Sequence, residues 1–394
     1  MDAEFVIVGG GIGGAVLANR LARGGKRVVV LEKSAAPEAA VRPEILWPAT
    51  MAVLSDLLSK EGIARSALPL RGVEISDGRR VATLITPERL EAAQVQPWST
   101  DPTATRELLL RAGGFELRRG VEVVDILREK SAVAGVRTRN GTTGEVCEVC
   151  ARWTVGDDGA HSRVRDACGI EMPTRLLPID LLCYGFAWPE DLAPATARAW
   201  LNVRGSHSGI LAAVAMPLPG GRGAGIVVVR PRIFDDLGAV QGAWEEFRAV
   251  HLALREMTGM RGFPQDFVRV RRPWGHAPRY GCEGAVLLGD AAHPVSPAGG
   301  QGANMSVADA GVLAELFLRE APEVPAEYER RRRPANERSL RFTRGAARVL
   351  GLPEWLLPPV WLGFAGLHWL SRRPELVQRF LRSAAAAFQS EPGR

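Results

Sequence analysis

Residues 6–33 read VIVGGGIGGAVLANRLARGGKRVVVLEK, a glycine-rich turn between two apolar runs, closed by an acid. Residues 5–8 have the pattern of a buried parallel strand. Gly9, Gly11 and Gly14 then form G-x-G-x-x-G. Gly9 permits the tight turn, Gly11 lets a pyrophosphate approach the backbone, and Gly14 lets a helix pack closely on the strand. The spacing predicts that helix over residues 12–23, opened by Ile12 and ended by Gly24-Gly25, with Val16, Leu17 and Leu21 facing a sheet. Its first amides and its dipole suit a phosphate. Residues 28–31 read as a second strand. Glu32 stands at its end, where a carboxylate accepts from a ribose hydroxyl and disfavours a 2′-phosphate; Lys33 follows it. Strand, helix, strand and acid in register predict a dinucleotide site. FAD and NAD are both open from this stretch alone.

The rest of the composition narrows the class. A chain of 394 residues with 46% hydrophobic and 24% charged residues is an ordinary globular protein of one large or two modest domains. Only four of the 50 basic residues are lysine, so the net charge of +6 reflects arginine usage and predicts no nucleic-acid partner. Five scattered cysteines argue against a disulfide framework and for a reducing compartment. Cys147 and Cys150 form a CxxC within strand-like alternation, which puts them on opposite faces and predicts no metal. Asp2, Glu4 and the short apolar run after them lack the pattern of a secretory leader, so the expected location is the cytoplasm.

Two distant stretches decide between the dinucleotides. In WTVGDDGAHSRVR, residues 153–165, a strand ends in Gly156-Asp157-Asp158-Gly159. In GAVLLGDAAHPVSPAGGQGANMSVADAGVLAELF, residues 284–317, a strand ends in Gly289-Asp290, a Pro/Gly loop follows, and a long helix begins near Gly302. A carboxylate at such a strand end can accept from a polyol chain, and the first amides of the next helix can hold developing negative charge. A reduced flavin carries that charge on its pyrimidine edge.

In this order and spacing the three motifs resemble the class A flavoprotein monooxygenases, the 4-hydroxybenzoate hydroxylase family, over most of the chain. The family's G-x-G-x-x-G matches Gly9, Gly11 and Gly14, and its ribose-binding acid matches Glu32. Its DG motif matches Asp158-Gly159, with Asp157 where a small residue is commoner. Its GD motif matches Gly289-Asp290. Its arginine after the second strand looks like Arg42, its mid-chain helix arginine like Arg106, and YERRRRPAN resembles its Y-E-x-x-R element. The resemblance implies an α/β fold: a Rossmann-like FAD domain with an inserted, mostly antiparallel substrate sheet and C-terminal helices. It implies FAD, NADH or NADPH as reductant without a second Rossmann domain, and O2 as co-substrate. A flavin C4a-hydroperoxide would deliver one oxygen atom by hydroxylation or epoxidation. Pro297 falls beside the reacting ring, and Gly302, Ala303 and Asn304 at the pyrimidine edge.

The expected FAD domain comprises residues 1–70, 97–175 and 275–345, the substrate domain residues 71–96 and 176–274, and a helical segment residues 346–394. Tyr184, Phe186, Trp200, Leu211, Ala213 and Met216 are candidate pocket linings, about half of them sheet core because strands alternate faces. Their low charge suits a neutral, lipophilic, aromatic or conjugated substrate of secondary metabolism. His207, in RGSHSG, is a candidate acid or base. Residues 349–370, VLGLPEWLLPPVWLGFAGLHWL, are apolar but broken by prolines. They read first as closing helices on the FAD domain, second as a peripheral membrane foot beside an arginine-rich helix, third as a dimer surface. A separate flavin reductase is a further potential partner, as in some similar tailoring enzymes. The alternative activity is reduction or dehydrogenation of an isoprenoid or quinone-like lipid. A halogenase is disfavoured by the missing W-x-W-x-I-P motif, and a flavin-holding scaffold by the intact motifs.

Overall fold

The computed structural model describes residues 2–37, 42–190, 195–202, 209–251, 267–271, 273–297, 300–352 and 357–387. His207 lies outside them.

Two large sheets organise the chain. The first has the order 281–282, 285–287, 146–156, 3–8, 28–32, 116–119. Strand Ala3–Val8 is its centre, parallel to Val28–Glu32 on one side and to Val146–Gly156 on the other. Val6, Ile7 and Val30 are fully buried, as β-branched residues covered on both faces must be. Strand Val146–Gly156 has two duties. Its first half pairs antiparallel with Ala132–Asn140, which pairs with Val121–Glu129, and its second half runs parallel beside Ala3–Val8. Helix Ile12–Arg23 buries Val16, Leu17 and Leu21 against this sheet and packs on helix Gly302–Leu318.

The second sheet has the order 268–270, 180–187, 222–229, 210–218, 196–201, 72–76, 81–85. Every neighbour is antiparallel except Thr196–Leu201 with Gly72–Ser76. Its two faces bury different cores. Leu182, Tyr184, Trp200, Ala213 and Val227 pack under helix Leu237–Val250 through Trp244 and Phe247. Leu181, Cys183, Leu211 and Val228 pack together on the other face.

The tail closes the second sheet rather than the first. Strand Val81–Ile85 is an edge strand, and an uncovered edge offers unpaired backbone groups to other chains. Helix Leu357–Ser371 lies along it, with Phe364 buried on Ala82 and His368 Nδ1 3.1 Å from the Val81 carbonyl oxygen. Helix Pro374–Ala387 buries Val377, Leu381 and Ala385 against Ile85, Leu90, Ala93 and Val95. Among the described residues no helix is long and apolar enough to cross a membrane.

Candidate functional site

Val8, Leu31, Gly156 and Leu287 stand opposite one another in register, so the three motif loops leave adjacent strand ends side by side. Such carboxyl ends are where open parallel sheets bind ligands. Gly9 has φ +102°, and a Cβ there would lie 2.2 Å from the Asp157 carbonyl oxygen. Glu32 braces the turn: Oε2 accepts from the Gly10 N–H at 2.9 Å and Oε1 from the Ser34 N–H at 2.8 Å. Asp157 Oδ2 accepts from the Gly14 N–H at 2.9 Å.

A cleft opens between these loops and the second sheet. The loops contribute Gly11, Ile12, Gly13, Arg42, Asp157, Gly159, Asp290, Pro297, Gly302 and Ala303, and the sheet contributes Leu181, Cys183, Ile226 and Val270. Helices Ile12–Arg23 and Gly302–Leu318 both begin at the cleft, with no hydrogen bond to an N-cap side chain and no acid in the first turn, although Asp157 accepts from the Gly14 N–H of the first. Such starts offer N–H groups and positive dipole ends to anions. Arg106, on helix Pro102–Ala112, is not among the residues lining the cleft, and its Nη2 pairs with Glu107 Oε1 at 3.6 Å. Two helix starts opening on the cleft and glycines where a Cβ would intrude fit a flavin dinucleotide.

The remaining candidates are placed as follows. Lys33 is exposed and pairs with Glu122 at 2.9 Å, outside the cleft. The hydrogen bonds from Lys33 and then Arg139 hold Glu122 down at about 2. Asp158 Oδ2 accepts from the Arg163 and Val164 N–H groups at 2.7 and 3.2 Å, which ties the DG loop to helix Arg163–Ala167. Asn304 is spent within the protein. Its Oδ1 accepts from Trp47 N and Thr50 Oγ1 at 3.1 and 2.8 Å, and its Nδ2 donates to the Ile45 and Gly300 carbonyls at 2.9 and 3.3 Å. It clamps the long helix to the Glu44–Leu46 strand and leaves only its backbone for a cofactor edge.

Most of the aromatic pocket candidates stand on the far face of the second sheet. Tyr184, Phe186, Trp200 and Ala213 belong to the core under helix Leu237–Val250, and Met216 packs with Leu70 and Ala197. Leu211 lies on the near face behind the lining residues. The period-2 alternation of strand Asp180–Ala187 turns Leu181 and Cys183 toward the cleft and Leu182 and Tyr184 away from it. Tyr184 lies over Gly225, its hydroxyl buried without a partner, and burial pushes its phenol up. Cys147 and Cys150 are exposed, and no metal-holding cluster occurs among the described residues.

Behind the cleft lies a polar network that motif spacing does not reveal. His293 Nε2 is 2.6 Å from Asp309 Oδ2, and Arg332 Nε donates to Asp309 Oδ1 at 2.7 Å. Asn336 donates to the same Oδ1 at 3.2 Å. All four side chains are buried. The network explains the Y-E-x-x-R element. Tyr328 fills core, Glu329 Oε2 accepts from the Tyr280 N–H at 3.0 Å, and Arg332 anchors the helix that bears it to helix Gly302–Leu318.

A family model described as an FAD binding domain matches residues 2–343. The chain belongs to this FAD-binding family. It is an FAD-dependent monooxygenase, like the relatives it matches. It is 29% identical to the rifampicin monooxygenase of Streptomyces venezuelae, over 88% of this chain and 71% of that protein. It is 29% identical to a 6-methylpretetramide 4-monooxygenase of Streptomyces rimosus, over 86% of this chain and 82% of the relative. The solved structure of p-nitrophenol 4-monooxygenase PnpA from Pseudomonas putida shares the fold, with a TM-score of 0.81, 20% identity and 99% of each chain covered. FAD is thus the cofactor of this monooxygenase, with NADH or NADPH the usual reductant and O2 the co-substrate of the family. Asp290→Ala should purify with flavin occupancy well below that of the parent by the absorbance ratio. Full occupancy would remove the GD loop from the flavin site.

Proposed function

We propose that this monooxygenase inserts one oxygen atom into a neutral, lipophilic aromatic or conjugated substrate held between the flavin loops and the second sheet. One observation carries the reading. Among the described residues the sheet's share of the cleft is Leu181, Cys183, Ile226 and Val270, none of them charged, whereas Arg42, Glu44, Asp157 and Asp290 all stand on the loop side. A small benzoate would leave its carboxylate against that apolar wall, at a desolvation cost no cation there offsets. An extended aromatic framework would bury its faces on it, at about 25 cal/mol per Å² of apolar area removed from water.

Bound FAD supplies the oxygen activation; the chain's own residues position and dry the site. Pro297 lines the cleft at the mouth of the GD loop and would bound the reacting end of the substrate. The loop-side helix starts favour negative charge on the cofactor side. The polycyclic compounds named for two Streptomyces relatives support a large substrate here and a role in secondary metabolism.

The test is incubation under 18O2 with NADH or NADPH and two substrate sets, neutral polycyclic phenols and quinolones against benzoates, followed by product mass. One 18O atom in a neutral aromatic product, with benzoates at least about tenfold poorer in kcat/KM, is the expected result. Benzoate preference would overturn the substrate class. Substrate reduction without 18O would favour the reductase alternative.

A further inference from the structure

The carboxyl of Asp157 occupies the space that the glycine turn keeps clear. Its Oδ2 accepts from the Gly14 N–H at 2.9 Å. The same oxygen would lie 2.4 Å from a Cβ on Gly11 and 2.7 Å from one on Gly14. The side chain is half-buried on the cleft wall. Glycines at these positions admit a pyrophosphate to the backbone, so an acid stands beside the most acidic part of the cofactor.

The surroundings disfavour a charge on it. Glu32 at the end of the second strand, Asp158 in its own loop and Asp290 from the GD loop add negative charge near it, and Arg42 lines the same cleft. Burial, then these acids, push the Asp157 carboxyl well above the usual range, against the pull of the Gly14 amide. Ionised, it would oppose a diphosphate across the turn. Neutral, it keeps the Gly14 bond with one oxygen and has an O–H to donate with the other.

We propose that Asp157 holds the FAD pyrophosphate as a neutral carboxylic acid, so that flavin binding takes up one proton and weakens as pH rises. The sign follows from linkage. FAD selects the protonated form, so below the Asp157 pKa of the flavin-free protein affinity is flat. Above it the proton must be taken from solvent, and affinity falls about tenfold per pH unit until the pKa of the complex is passed. The proposal rests on the flavin assignment.

The experiment is FAD titration of the deflavinated full chain by flavin fluorescence from about pH 5 to 9, where FAD itself does not titrate, for wild type and Asp157→Asn. Asparagine keeps the acceptor for Gly14 and carries a permanent donor. Wild-type Kd should rise about tenfold per pH unit over part of that range, while the Asn variant stays flat and binds at least about tenfold tighter at the alkaline end. An equal slope in the variant would assign the proton to another group and overturn the proposal. So would a flat wild-type curve. Should Asp157→Asn fail to fold, wild-type calorimetry in two buffers of different ionisation heat decides. Uptake approaching one proton per FAD at about pH 9 supports the proposal, and none at that pH overturns it. Absence of FAD binding at every pH would overturn the flavin assignment itself, whereas pH-independent binding overturns this proposal alone.

Discussion

Gly9→Ala should leave the protein almost free of flavin. The backbone at Gly9 has φ +102°, a conformation L residues rarely adopt. The added methyl would also meet the Asp157 carbonyl oxygen at 2.2 Å and its carbonyl carbon at 2.6 Å. Those atoms are main chain, so no rotamer change relieves the contact. The Asp157 N–H donates to the Val8 carbonyl at 2.7 Å, so moving residue 157 away breaks the join between the first turn and the DG loop. Strain and crowding together should cost about 3 kcal/mol or more, a drop in FAD affinity of about a hundredfold. The absorbance ratio of the purified protein and a fluorescence titration read this directly. Gly25→Ala is the control, because Gly25 has φ +76° with nothing within 4 Å of its Cβ position. It should lose some stability through backbone strain and keep its flavin. Wild-type affinity in Gly9→Ala would contradict the described turn.

Asp309→Ala should be the most destabilising substitution outside the glycine turn. Burial by itself would raise the Asp309 carboxyl, but the charges of His293 and Arg332 and their hydrogen bonds outweigh it and hold it below the usual carboxylate range. Alanine would leave the Arg332 guanidinium buried without its carboxylate, at about 3–5 kcal/mol. The loss should appear as a lower denaturation midpoint at neutral pH. The acid limb supplies a second reading. A carboxylate whose folded pKa is depressed stabilises fully above its unfolded value of about 4, and that contribution drains away as pH falls below it. Asp309→Asn should therefore lose stability at neutral pH and show a shallower decline below about pH 4 than wild type. A variant within about 0.5 kcal/mol of wild type would mean that the network is ornamental.

The parts of the fold legible in the chain were those set by neighbours in sequence. G-x-G-x-x-G with its flanking strands and Glu32 is local, because dihedral freedom, the missing Cβ and a helix start all act within a few residues. The GD loop and the uncapped start of helix Gly302–Leu318 were legible for the same reason. Side-chain direction was harder. Strand Asp180–Ala187 is apolar on both faces, so alternation separates Leu181 and Cys183 from Leu182 and Tyr184 without saying which pair looks at the cofactor. Choosing the large aromatics favoured the far core under Trp244 and Phe247. Asn304 shows a related limit: a polar residue at a cofactor edge was found spent on Trp47, Thr50, Ile45 and Gly300.

Charged partners distant in sequence were legible only once folded. The CxxC at Cys147 and Cys150 is exposed, whereas the interacting thiols are Cys168 and Cys282, 114 residues apart by number. The neighbouring Cys168 thiol, helped by Arg128 and Arg279 and opposed by burial, draws the Cys282 thiol below its usual range. The arginine-rich stretch before the tail is likewise partly core. Arg332 is buried on Asp309, Arg333 pairs with Glu329 at 2.9 Å, and Arg331 pairs with Glu315 at 2.8 Å.

By itself the sequence determined the dinucleotide turn and the order of the motifs, because each depends on backbone freedom and hydrogen-bonding groups carried within short segments, while FAD rather than NAD followed only from the resemblance that the three motifs carry together. The tertiary structure alone decided which face of the second sheet lines the cleft, where the tail helices close, and that Asp157 and Asp309 stand among charges from distant segments. Those outcomes depend on which surfaces meet, and burial and Coulomb energy act between neighbours in space.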